Sequence, residues 1–134
     1  MNYANIADSV GAYQKIATHS EVFDASPHRL IQMLLSGALE KIAIAKGHME
    51  RGDVNHTGSH ISWAIAIIDG LRMSLDKTID SPIADNLNRL YEYMGMRLLN
   101  ANIQKDPKML EEVSNLLKTI KSGWDGIQES AGKS

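Results

Sequence analysis

Three dipeptides fix where this chain can begin a helix. Ser26-Pro27, Ser81-Pro82 and Asp106-Pro107 each put a capping side chain directly before a proline. A Ser or Asp oxygen at the N-cap accepts one of the orphan N–H groups of the first turn. Proline at the next position loses nothing, because its missing N–H has no helical partner. Asp53 marks a fourth start behind Arg51-Gly52, where glycine suits the end of a preceding helix. These marks predict helices over 27–50, 54–76, 82–104 and 107–128, each about 35 Å long at roughly 1.5 Å per residue. The links around Arg51–Asp53, Lys77–Ser81 and Lys105–Asp106 are short. Short links make neighbouring helices antiparallel, so the expected fold is all-α, an up-down-up-down four-helix bundle. No alternating strand pattern or hairpin turn competes with it.

A chain of 134 residues suits one core. The bundle is expected to occupy residues 26–128, with an N-terminal segment over 1–25 and a disordered C-terminal tail over 129–134. Ile6, Val10, Tyr13 and Ala17 recur at helical spacing. The N-terminal segment is therefore expected to be a short, mobile amphipathic element that lies against the bundle and covers part of its apolar surface.

A helix of a bundle needs one apolar stripe. The fourth helix has one, through Met109, Val113, Leu116, Leu117, Ile120, Trp124 and Ile127, with a polar back. The first three carry more apolar residues than one stripe holds. In the first, Ile31, Leu34, Leu35, Ala38, Ile42, Ala45 and Met49 make the core stripe, and Met33 and Ile44 fall outside it at about 100° per residue. In the second, Ile61, Ala64, Ile65, Ile68 and Leu75 make the core, and Trp63 and Ile67 lie on a flank with His60. In the third, Ile83, Leu87, Leu90, Tyr91, Met94, Leu98 and Ala101 make the core, and Met96, Leu99 and Ile103 form a second stripe.

A contiguous apolar patch marks a partner site where single exposed residues do not. Second stripes on three helices point to grooves for an amphipathic helix or an extended apolar segment. They also fit a self-associating structural or adaptor bundle whose stripes bury one another. Replacing Ile67 by Asp is expected to abolish partner binding while the bundle stays folded.

Other chemistries lack their residues. There are no cysteines, which excludes disulfides, Cys-held zinc and Cys nucleophiles. The net charge is -2 and the basic residues are scattered, which argues against nucleic-acid binding. The first twenty residues have neither the basic start nor the apolar run of a signal peptide, and no apolar run approaches the roughly 18 residues of a membrane span. A cytoplasmic protein without stable membrane insertion is expected. His56 and His60 have i,i+4 spacing that a metal could use, but a surface pair without a third ligand is more often simply solvated, and phosphate-binding and nucleophile-elbow motifs are absent. Neither enzymatic activity nor a metal or other cofactor is expected.

The run Ala25 to Leu39, ASPHRLIQMLLSGAL, resembles the first helix of the FliS family of flagellin export chaperones. Gly11-Ala12-Tyr13-Gln14 resembles that family's N-terminal Tyr segment, and Glu50-Arg51-Gly52-Asp53 its turn into the second helix. Similar matches run through Ile67–Leu71, Ile83–Leu87, Leu90–Met94, Arg97–Asn102, Glu112-Val113 and Leu116-Leu117 to Trp124. They cover about residues 10–127 in order and are specific jointly rather than singly. Where the family commonly has an aromatic and an Asp after Met-Leu, this chain has Leu35 and Ser36. The resemblance implies a four-helix bundle that binds the disordered C-terminal segment of flagellin, blocks premature polymerisation and delivers the client to the export gate; a monomer or weak homodimer is expected. It also implies a client-binding role for Val10 and Tyr13, to which the second stripes add Met33, Ile44, Trp63, Ile67, Met96, Leu99 and Ile103.

Overall fold

The computed structural model describes residues 25–75 and 81–127. They form α1 (Pro27–Glu50), α2 (Val54–Met73), α3 (Pro82–Gln104) and α4 (Pro107–Gly126). Every start lies where its cap places it. Ser26 Oγ accepts from the Arg29 N–H at 3.1 Å, Asp53 Oδ1 from His56 at 3.2 Å, Ser81 Oγ from Ala84 at 3.4 Å and Asp106 Oδ1 from Lys108 at 3.0 Å. Between α1 and α2 the chain turns through Gly52 at φ 76°, a left-handed conformation that costs glycine nothing. Between α3 and α4 it turns through Lys105 at φ 53°, a residue with no such exemption.

The helices pack in a ring: α1 against α2 and α4, and α3 against α2 and α4. The side chains that meet show the alternating direction. His48, near the end of α1, stacks on His56 at the start of α2. Arg72, near the end of α2, bonds Asn88 at 2.7 Å and Glu92 at 2.6 Å in the first half of α3. Arg97 in the second half of α3 bonds Glu112 in the first half of α4 at 2.7 Å. His28 at the start of α1 stacks on Trp124 at the end of α4, whose Nε1 donates to the His28 carbonyl at 3.0 Å. Four antiparallel neighbours closed into a ring are the four-helix bundle that the caps and short links predict.

The core runs through Leu34, Leu35, Ala38, Ile42 and Ala45 of α1, Ile61, Ala64, Ile67, Ile68 and Leu71 of α2, Tyr91, Met94, Leu98 and Ala101 of α3, and Met109, Leu110, Val113 and Leu117 of α4. It corrects the predicted stripes at several positions. Ile67 is core, and Ile65 packs only partly against it. Alpha2 lies between α1 and α3 in the ring, so its buried arc is wider than one stripe and includes both flanks. Met33 is buried as well, at 5% exposure. Conversely, Ile83 and Ile127, at the outer ends of their helices, are exposed, since the ring no longer surrounds them there.

Candidate functional site

The residues predicted to form a partner surface separate into three groups. Met96, Leu99 and Ile103 stand in solvent at 68%, 54% and 71% exposure. Their spacing of three and four puts them on one line along α3, opposite Tyr91, Met94 and Leu98. Ile44 and Trp63 are half-buried. Trp63 packs against the core with the Lys41 ammonium 3.8 Å over its ring, so its face is already occupied by a cation–π contact. Met33 and Ile67 are interior and present no surface to a partner. Ile67→Asp would therefore bury a charge in the core, and the expectation of a folded, binding-deficient variant is withdrawn. Val10 and Tyr13, with the rest of the N-terminal segment, lie outside the described residues.

The outer face of α3 changes character along its length. Its first half carries Asp85, Arg89 and Glu92 where its second half carries Met96, Leu99 and Ile103. On the side toward α4, Tyr93 and Arg97 both donate to Glu112. Those two bonds, that from Tyr93 first, hold the Glu112 carboxyl below its usual range, and the same contact raises the Tyr93 hydroxyl above its own. The apolar line is thus bordered by a fixed polar clasp on α4 and is open along its crest.

A second apolar feature lies at the other end of the bundle, where α1 and α3 begin and α2 and α4 finish. A cavity of about 700 Å³ is lined there by Leu30, Ile31, Leu75, Leu87, Tyr91, Ile120, Trp124 and Ile127, with few polar groups. Burial pushes the Tyr91 hydroxyl up to about 12, as expected where a charged form would lose its water. The sequence held no signal for this cavity. Its lining comes from α1, α3, α4 and the residues just beyond the end of α2, and only their convergence at one end brings it together. Leu87 on the cavity and Leu99 on the ridge share α3, about 18 Å apart along its axis.

Among the described residues no helix is long and apolar enough to cross a membrane. What the two features offer is mainly apolar contact area.

The sequence matches the family described as flagellar protein FliS over residues 9–131. The chain belongs to the FliS family. It is 51% identical over 115 residues to the flagellar secretion chaperone FliSB of Pseudomonas aeruginosa, covering 86% of this chain and 91% of that protein. It is 43% identical over 126 residues to the flagellar secretion chaperone FliS of Salmonella typhimurium, covering 93% of both chains. The FliS of Vibrio cholerae is 38% identical over 119 residues, 89% of this chain and 88% of that one. FliS proteins are chaperones, so the chain is not an enzyme, and the FliS fold is in this case a bundle with spare apolar surface.

Proposed function

We propose that this protein is a cytosolic flagellar export chaperone whose client is the C-terminal segment of flagellin. The observation that carries the reading is the exposed line Met96, Leu99 and Ile103 on a helix whose opposite face already fills the core. In a chain related to secretion chaperones, such a line is a docking strip for an amphipathic client. The end cavity is a second apolar contact on the core side of α3: Leu87 and Leu99 lie about 18 Å apart along the axis, so a client using both passes around the charged first half of the outer face. A disordered client orders itself on binding at a cost of a few kcal/mol, so it needs apolar contact on this scale. Covering the client's own apolar stripe prevents premature polymerisation, and release at the export gate returns it.

The test is a titration of the full chain with a C-terminal flagellin peptide, followed by calorimetry and helicity. One-to-one binding with a gain of helix is expected, and Leu99→Asp should weaken it at least about tenfold, or 1.4 kcal/mol, with an unchanged far-ultraviolet spectrum. Wild-type affinity in that variant would remove the α3 ridge from the client path. A tight dimer that ignores the peptide would instead support a self-associating bundle.

A further inference from the structure

At the turn between α1 and α2, two helices bring three metal-ligating side chains together. His48 comes from the last turn of α1, Asp53 caps α2, and His56 stands in the first turn of α2. Asp53 Oδ2 lies 2.7 Å from His56 Nδ1 and 3.5 Å from His48 Nδ1. One donor atom from each of the three falls within 4.8 Å of the others. Around a tetrahedral zinc, with ligand bonds near 2.0–2.2 Å, donor atoms are roughly 3.3 Å apart. The His48–Asp53 edge is near that value, the His56–Asp53 edge must open from hydrogen-bond length by roughly half an ångström, and the third already lies within 4.8 Å. The sequence pairing of His56 with His60 had no third ligand. The fold supplies a different set, because the short turn folds His48 back over the start of α2.

The neighbours hold the rings in place on one side and oppose a cation on the other. The His48 ring stacks at 5.0 Å on His56 and at 5.4 Å on His60, which limits its rotation. His60 Nδ1 is 2.8 Å from the His56 carbonyl, which can only accept, so His60 is itself anchored by a donated bond. On the other side the Arg51 guanidinium approaches His48 Nδ1 at 3.3 Å, so a positive charge already occupies the open edge of the group.

We propose that His48, Asp53 and His56 form a binding site for a divalent transition-metal ion of the zinc class. Two imidazole nitrogens and one carboxylate oxygen are the donor set that zinc takes in open sites, with water completing the shell. Binding replaces the His56–Asp53 hydrogen bond: the ion takes the place of the proton on His56 Nδ1, and the neutral ring carries its single N–H on Nε2 instead. The ion clips the end of α1 to the start of α2, across the turn at Gly52. Arg51 must move aside, so its charge opposes the ion.

The experiment is calorimetric titration of the full chain with zinc alone, paired with thermal unfolding in zinc. The wild type should bind one equivalent at this site and melt at a higher temperature with zinc than without. His48→Gln/His56→Gln should lose at least tenfold in affinity and most of the thermal shift. Asp53→Asn keeps a capping side chain on α2 while removing the carboxylate, so it should fold normally and bind more weakly. Arg51→Gln should bind more tightly than the wild type. Zinc affinity unchanged in the double His variant, or a wild type whose melting ignores zinc, would overturn the assignment.

Discussion

Ile67 and Leu99 are both aliphatic residues on amphipathic helices, and in sequence both stand outside a core stripe. One is 1% exposed and the other 54%. The difference arises from the neighbours rather than from the residues. Alpha2 is apolar around most of its circumference, so the angular position of Ile67 could not rank it against Ile65. Contact with both α1 and α3 decides in favour of Ile67. Alpha3 is strongly two-faced, with charges in its first half, and its second stripe could be read directly as surface. Ile67→Ala is accordingly expected to cost about 3 kcal/mol in urea unfolding, through lost burial plus a cavity. Met96→Ala is expected to cost under about 0.5 kcal/mol, because its side chain has little packing to lose. Equal losses for the two would contradict the burial pattern.

Helix starts were fully legible, because a cap is a local event: Ser26, Asp53, Ser81 and Asp106 each bond within their own first turn. Helix ends were less so. Alpha2 stops at Met73 and α4 at Gly126, short of the predicted 76 and 128; no proline or glycine follows Met73, and Gly126 ends α4 without the left-handed turn that Gly52 makes after α1. Lys105 is the clearest miss. It takes the left-handed conformation that usually selects glycine, and its Nζ donates to Asn102 Oδ1 at 3.0 Å. A left-handed non-glycine residue costs on the order of 1–2 kcal/mol, part of which glycine returns to the flexibility of the unfolded chain. Lys105→Gly should therefore stabilise the bundle by about 0.5–1 kcal/mol, read as a raised urea midpoint. A lowered midpoint would mean that the lysine bond outweighs the backbone strain.

For the molecule as a whole, acid is the natural probe. Glu112 bonds Tyr93 and Arg97 across the α3–α4 boundary, and its carboxyl is held below the ordinary 4.5. A carboxyl depressed in the folded state favours folding above its unfolded value, and the benefit fades as pH falls through the folded one. Stability should thus decline below about pH 4.5, and Glu112→Gln should flatten that decline in denaturant titrations at stepped pH. The change will be modest and weaker in salt, because the group is exposed. Identical acid limbs in the two proteins would show that the clasp contributes nothing. The architecture followed from caps and link lengths, and the family from residue runs along the chain. The end cavity did not follow, since it needs side chains that only the closed ring places side by side, and the His48–Asp53–His56 group did not, since it depends on how tightly the α1–α2 turn folds His48 back.

The seam between α1 and α4 differs from the other three boundaries in having no loop. It is held by the His28–Trp124 stack and by Gln32 donating to Asp125 at 2.6 Å, contacts whose partners stand 93 and 96 positions apart along the chain. The other boundaries are hairpins that form locally; this one joins the two extremities of the bundle. Its helices consequently have a cyclic order rather than a first and a last, and the break between Gly126 and Pro27 is one of four places where the same circle could have been cut.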